Sequence, residues 1–344
     1  MQLGLSEALP ALVARRFLTA KDAGHLLFSQ THLATVHSSG IPYQLRYCPA
    51  LAQKPTGTPK PENKGPKPDP FQDPSPELLI AQIPRENPSH ILVLNKFPVI
   101  HNHFILATKD WKPQTDILDK EDLEAAYACI TAWDAEENCG IESRRLFAFF
   151  NSGNDSGASQ PHRHLQFLPV EAMAQGDSNS WKPLIDAVSS QSASSGASEY
   201  RRLSQLPFAH FALPLPSNPS ADTLHTIYLS LYRAAMSATQ ADLARHARVS
   251  SGPAAISYNL AMTASTMMIC PRKSESALIP VDLGVSKEVA EAGLVSLNGT
   301  LLAGTLMVKA EAEWDELRRN PEALANVLAA IGFPHPDLRE VSFL

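Results

Sequence analysis

Residues 160–166 read QPHRHLQ and follow directly on SGNDSGAS at 152–159. Side chains on a strand alternate between its faces, so His162, His164 and Gln166 share one face and Arg163, Leu165 and Phe167 the other. Leu165 and Phe167 can anchor their face in a core, which makes the opposite face a rigid platform for imidazole chemistry. Three uses of the two histidines are open. On a half-buried strand they can simply satisfy hydrogen bonds. An HxH pair can also chelate zinc through neutral imidazoles, with His101 or His103 of IHNHF as a third ligand. Alternatively, one imidazole nitrogen attacks a phosphoryl centre, and a second acceptor resolves the phosphoramidate. That last use requires anion-binding donors beside the nucleophile. The preceding loop supplies them, because two glycines let backbone N–H groups turn toward one point while Ser and Gln side chains add donors. The context favours the nucleophile.

Such a platform has to be positioned by the rest of the chain. MQLGLSEALPALVARRFLTAKDAG at the start reads as an amphipathic helix, with Leu5, Leu9, Leu12, Val13 and Phe17 on one side. IPYQLRYC (41–48) reads as a strand. The stretch at 53–74 is dense in Pro, Lys and Gly and suits neither a helix nor a central strand, so it reads as a surface loop. Its Lys60, Lys64 and Lys67 read as solvated charge, whereas Lys54 at the base of the loop is a candidate phosphate contact. Residues 77–83, 90–97 and 103–110 are short β-rich runs that suggest an antiparallel meander. Asp119 is a candidate cap for a helix over 120–137 that buries Leu123, Ala126, Tyr127, Ile130 and Trp133. A strand at 146–152 leads into the histidine segment. SSQSASSG (189–196) is a low-complexity loop. Ser220 would cap a second long helix with Leu224, Ile227, Tyr228 and Leu231 inward. Residues 255–262 and 266–270 form a hairpin, and helices are expected over 285–303 and 311–330. Strands followed by a helix, twice over, indicate α+β with two related halves, the second from about 205.

Composition bounds the function. The chain of 344 residues carries 44% hydrophobic and 19% charged residues, ordinary for a globular protein, and a formal net charge of -6. That charge argues against a dedicated nucleic-acid binder, which normally has a basic face. No run of about 18 apolar residues occurs, so no membrane-spanning helix is expected, and the N-terminus lacks the features of a signal peptide. Cys48, Cys129, Cys139 and Cys270 are scattered, without a CxxC pair, and read as buried or idle thiols in a reducing compartment. The expected location is the cytoplasm, with the nucleus also open.

NSGNDSGASQPHRHLQFLP resembles the active-site segment of the HIT superfamily, in the HxHxQ branch that contains diadenosine tetraphosphate phosphorylases and galactose-1-phosphate uridylyltransferase. LNKFPVIHNHFILAT, SYNLAMTASTMMICPRKSES and LNGTLLAGTLMVK extend the resemblance to the fungal-type phosphorylases over roughly 40–340. It implies one HIT-like catalytic domain over 1–344, an antiparallel sheet flanked by helices. It also implies phosphorolysis of diadenosine tetraphosphate to ATP and ADP, with His164 taking AMP. By the same resemblance His162 orients the nucleophile or leaving phosphate, and Gln166 donates to phosphate where related hydrolases carry a third histidine. Gly157, Ala158, Ser159 and Gln160 would form the phosphate loop, with Asn151 beside it. Asn95 and Lys96 resemble nucleotide contacts, and Lys54 matches a polyphosphate-binding lysine. Asn259, Met268 and Lys273 are matched to distal contacts, with Arg272 as an alternative to the lysine and Met268 equally a core residue. The expected partners are small: the dinucleotide, ATP, ADP and phosphate. No tightly bound cofactor or protein metal site is expected, although Mg2+ or Mn2+ could assist at the substrate phosphates, and the chain is expected to be a monomer. A nucleotide-sugar transferase and a non-catalytic dinucleotide binder are the alternatives.

Overall fold

The computed structural model describes residues 1–52, 69–134, 144–174, 181–191, 200–239, 250–279 and 293–335. Its centre is an eight-stranded sheet in the order β3-β4-β5-β7-β6-β9-β10-β8. The strands are β3 (Leu79–Ile83), β4 (His90–Leu94), β5 (Phe104–Thr108), β6 (Leu146–Ser152), β7 (His164–Pro169), β8 (Phe211–Pro214), β9 (Tyr258–Met262) and β10 (Thr266–Pro271). Every pairing in this sheet is antiparallel. The expected meander is β3-β4-β5, and strands from both halves of the sequence meet where β6 pairs with β9.

One face of the sheet is covered by α1 (Leu9–Asp22), α2 (Lys120–Asp134) and α5 (Ala221–Ala238). Their apolar stripes and the inward residues of the strands make one core, which includes Phe17, Leu123, Ile130, Trp133, Leu224, Tyr228, Leu165 and Phe167. The rings of Phe104 and Phe167 stack across β5 and β7 at 4.8 Å between centroids, so β7 is pinned from behind. Ser220 caps α5 as expected, its Oγ accepting from Thr223 N–H at 3.1 Å. Asp119 sits just ahead of α2, but its carboxylate pairs with Lys112 and Arg163 while its own N–H donates to Asp122.

The other face is covered only in part. A three-stranded sheet in the order β1-β2-β13 holds β1 (His32–Ser38), β2 (Ile41–Tyr47) and β13 (Thr305–Val308), with β13 parallel to β2. Together with α3 (Val170–Met173), α4 (Leu184–Ser189), α6 (Glu311–Arg319) and α7 (Pro321–Ile331) it builds a second core against β6, β9 and β10. Among the described residues this layer stops short of the β4-β5-β7 end, where the histidines lie beneath Phe71.

Two expected helices are corrected. Within 285–303 the described part is a strand, β12 (Leu294–Ser296), which pairs with β11 (Ser276–Leu278), followed by a 3-10 turn at Gly299–Ala303; residues 285–292 lie outside the described residues. Gly293 and Gly304 have φ of 95° and 70°, conformations that break a helix, and Asn298 accepts from Thr300 N–H. The helix expected over 311–330 is two, α6 and α7. Pro321 cannot donate to the preceding turn, and Asn320 caps the second helix by accepting from Glu322 N–H at 3.1 Å. β1, β8 and β13 have no counterpart in the sequence-based elements. Cys48, Cys129 and Cys270 are buried free thiols, and burial pushes Cys129 up and Cys270 up to about 12; Cys139 lies outside the described residues. Among the described residues no helix is long and apolar enough to cross a membrane.

Candidate active site

β7 begins at His164, and the alternation predicted from the sequence holds. Leu165 and Phe167 are in the helix-side core, while His164 and Gln166 face the other way beside Ala107 and Ile105 of β5. His162 precedes the strand, in an isolated bridge with Pro113. Arg163, on the rear face, is buried and donates to Asp119 at 2.8 Å and Asp122 at 2.7 Å, so an ion pair anchors the segment as well as apolar packing.

His164 is almost fully buried, and its Nδ1 lies 2.8 Å from the His162 carbonyl oxygen. A carbonyl only accepts, so Nδ1 carries the hydrogen and the lone pair is on Nε2. Burial lowers the His164 pKa to about 4, which keeps the ring neutral and nucleophilic at neutral pH. His162 is held differently. Its Nδ1 contacts the Asp69 carboxylate at 2.6 Å and its Nε2 the Thr108 hydroxyl at 3.0 Å. Phe71, two residues beyond Asp69, lies over both rings at 5.1 Å from His164 and 5.7 Å from His162. Beneath it Ile91, Val93, Ile105 and Ala107 form a small apolar floor at this end of the sheet.

The strands part at His164. Pairing of β6 with β7 runs from Leu146↔Pro169 to Phe149↔Gln166 and stops before Asn151 and His164. The buried side chain of Gln114 fills the gap. Its Oε1 accepts from His164 N–H at 2.7 Å, and its Nε2 donates to Asn151 O at 2.7 Å and His164 O at 3.2 Å. A side-chain amide thus replaces the ladder where the sheet opens, partnering the His164 N–H and the His164 and Asn151 carbonyls.

The loop of small polar residues is fastened from the second half of the chain. Asn151 Oδ1 accepts from Asn259 Nδ2 at 2.8 Å and from Gly299 N–H at 2.9 Å, and Asn259 Nδ2 also donates to Ser156 O at 2.9 Å. Gly153 and Gly157 have φ of 87° and 79°, which gives the loop its turns. They also permit close approach: a Cβ on Gly157 would lie 2.8 Å from Asn298 Cβ, and one on Gly153 2.8 Å from Ser257 Cα. Ala158 and Ser159 are exposed and Gln160 half-buried beyond this fastening.

The remaining sequence-selected residues divide sharply. Asn95 and the exposed Lys96 lie at the open end of β4, on the same side of the molecule as the histidines. Asn151 and Asn259 are buried loop fasteners. Met268 is fully buried in the second core, and Cys270 beside it as well, so the core alternative describes Met268 and the contact role does not. Arg272 is likewise committed. Its guanidinium reaches the Asn259 side chain and the carbonyls of Leu297, Ser274 and Ile331, which makes it a buried staple rather than a substrate cation. Lys273 is exposed, with its N–H on Ile331 O. Lys54 lies outside the described residues. Of the two candidate third ligands for zinc, His101 packs on Phe28 at 4.2 Å, and His103 is hydrogen-bonded to Gln166 beside Asn95. Among the described residues no group of three or more His, Cys, Asp or Glu could hold a metal ion. Gln114, Thr108, Asp69 and Phe71 escaped the sequence reading, because each reaches the site from a distant segment with no periodic signal.

A pH effect on stability follows from burial. His210 in the second half repeats the His164 arrangement, its Nδ1 on Phe208 O at 2.9 Å, and burial lowers its pKa to about 4 as well. Between pH 6.5 and about 4 the unfolded chain binds protons at these two sites that the folded chain refuses. Stability contributed by the neutral rings is therefore complete above pH 6.5 and is lost as pH falls through that window. Urea midpoints measured from pH 7.5 to 4.5 should drop, and His164→Asn should reduce the drop. An identical drop in the variant would remove His164 from this account.

Comparison with known proteins agrees with the geometry. A family model described as the Ap4A phosphorylase N-terminal domain matches residues 3–187, and one described as the ATP adenylyltransferase C-terminal domain matches 204–334. Two proteins of Saccharomyces cerevisiae are similar over nearly their full lengths. Protein APA1 is 28% identical, covering 94% of each chain, and diadenosine 5',5'''-P1,P4-tetraphosphate phosphorylase 2 is 26% identical, covering 96% of each. The crystal structure of yeast Ap4A phosphorylase Apa2 superimposes with a TM-score of 0.77 at 24% identity, covering 96% of this chain and 99% of that one. The first family model alone spans more than half of the sequence, from α1 through β7 into α4, and on that match the chain belongs to the Ap4A phosphorylase family.

Proposed function

We propose that the chain catalyses reversible phosphorolysis of diadenosine tetraphosphate by inorganic phosphate, giving ATP and ADP through adenylate carried on His164. His164 Nε2 attacks the α-phosphorus of one adenylyl group, an N–P bond forms, and the P–O bond to the bridging oxygen breaks. The oxygen keeps the electron pair and departs with the remaining three phosphates as ATP. An oxygen of inorganic phosphate then attacks the same phosphorus, the N–P bond breaks, and ADP leaves with the imidazole neutral again. A phosphate dianion is already a nucleophile, so no ionisable base is required at position 166.

The observation that carries this reading is the state of His164: neutral by burial, with Nδ1 tied to its own strand and the lone pair on Nε2. Gln166 supports it, because an amide can hydrogen-bond phosphate but cannot exchange protons with a water acceptor near neutral pH. The yeast Apa2 crystals hold Ap4A and AMP, which supports the same class of substrate for this relative. Mg2+ or Mn2+ would enter with the polyphosphate and neutralise part of its charge. The chain acts as a monomer in this reading.

Product analysis by ion exchange tests it. With phosphate the products should be ATP and ADP; without phosphate turnover should stall, with AMP forming only slowly. Arsenate should restore turnover and yield AMP, since adenylyl arsenate decomposes. Rapid, phosphate-independent formation of AMP and ATP would make the enzyme a hydrolase and end the phosphorylase reading.

A further inference from the structure

Asn95, His103 and Gln166 lie side by side across β4, β5 and β7 on the face that carries His164. Phe97 N–H donates to Asn95 Oδ1 at 2.9 Å, and Asn95 Nδ2, 3.1 Å from Nδ1 and 3.4 Å from Nε2, sits over the face of the His103 ring. His103 Nε2 lies 3.1 Å from Gln166 Oε1, and an amide oxygen only accepts, so Nε2 carries the ring hydrogen. The glutamine oxygen is thereby committed to His103, and its NH2 group is on the opposite side of the amide.

We propose that His103 is a positioning residue that fixes the rotamer of the Gln166 amide, so that it presents a donor rather than an acceptor to the reacting phosphate. The proposal rests on the adenylyl-transfer reading for its consequence and on geometry alone for its existence. Phosphate oxygens only accept. A Gln166 amide turned the other way would set its oxygen against them, and a glutamine with no partner would divide its time between the two orientations. The relay removes the wrong one before substrate arrives. It also gives His103, buried at 8% exposure, a use that neither a metal site nor core packing provides.

Two histidines of this face must therefore be opposite tautomers: His103 with hydrogen on Nε2, His164 with hydrogen on Nδ1. Long-range proton–nitrogen correlation spectra of protein labelled at histidine nitrogen, without substrate, read this directly. The expected result is one Nε2–H ring assigned to His103 by its absence in His103→Phe, and one Nδ1–H ring assigned to His164. An Nδ1–H or doubly protonated His103 at neutral pH overturns the proposal. In kinetics, His103→Phe should lower kcat about 10- to 100-fold, the scale of a lost donor at a reacting oxyanion, while KM shifts less than about 3-fold. His103→Gln, which can still donate to Gln166, should recover part of that loss. Equal kcat in wild type and His103→Phe, or a loss confined to KM, also overturns it. If the tautomers are as stated but the protein makes no ATP and ADP, the reaction reading fails and the relay stands.

Discussion

His164→Ala should lose at least about 10³-fold in turnover, because it removes the atom to which adenylate would be bonded. The fold should survive. Leu165 and Phe167 hold the strand from the helix side, and Gln114 bonds the His164 backbone, which alanine retains. The comparison that separates chemistry from collapse is the unfolding midpoint measured beside the rate. Incubation with labelled dinucleotide in the absence of phosphate should leave adenylate on the wild-type protein and none on His164→Ala. His162→Ala should still take the label, more slowly, since His162 meets Asp69 and Thr108 and has no lone pair placed as that of His164 is. Near-normal turnover by a folded His164→Ala protein would refute the nucleophile, and label on His162 would exchange the two roles.

Arg163→Met should cost about 3–5 kcal/mol of folding stability, the scale of breaking a buried ion pair by removing one partner. Arg163 is 3% exposed and Asp122 is completely buried. Burial alone would push the Asp122 carboxyl up; the His90 hydrogen bond, the Arg163 charge and the Asp119 N–H together hold it below the usual carboxylate range. Without the guanidinium that carboxylate keeps only His90, at 3.0 Å, and one backbone donor against the cost of burial. Asp119 would lose a partner also, although it keeps Lys112 and is partly exposed. Urea denaturation of wild type and Arg163→Met gives the value. The double variant with Asp122→Leu should recover part of the loss, since the pair replaced together leaves no orphan charge. A cost below about 1 kcal/mol for the single variant would mean that the pair is hydrated.

These two residues mark what local pattern reveals and what it hides. The HxHxQ face was legible because strand alternation is a local rule, and the rear anchors Leu165 and Phe167 follow from the same rule. That Arg163 between the histidines is an internal ion-pair partner was not legible, because Asp119 and Asp122 approach only once α2 has packed behind the sheet. Gln114 is the extreme case. WKPQTD has no period, and its amide matters only because β6 and β7 separate beside it. The resemblance pointed to Asn151 and Asn259 as site residues; their mutual bond, and their role as fasteners, depends on β6 pairing with β9 across the two halves. Short elements were lost for another reason. β12 and β13 are three and four residues long, too brief for alternation to stand out against a glycine-rich stretch. The break at Asn320–Pro321 was readable from the proline itself, and the continuous apolar period across it was given too much weight.

The junction of β6 with β9 also sets an order of events during synthesis. Chains emerge from the ribosome N-terminal end first, so β7 and the histidines are made well before Ser257, Asn259 and Gly299 exist. In that interval β6 has an unpaired edge, and an edge of seven buried-type residues is a template for association with other chains. Asn151 waits with neither of its donors. A chain arrested before β9 therefore carries His164 beside a loop that lacks its fastening, with β6 open on one edge.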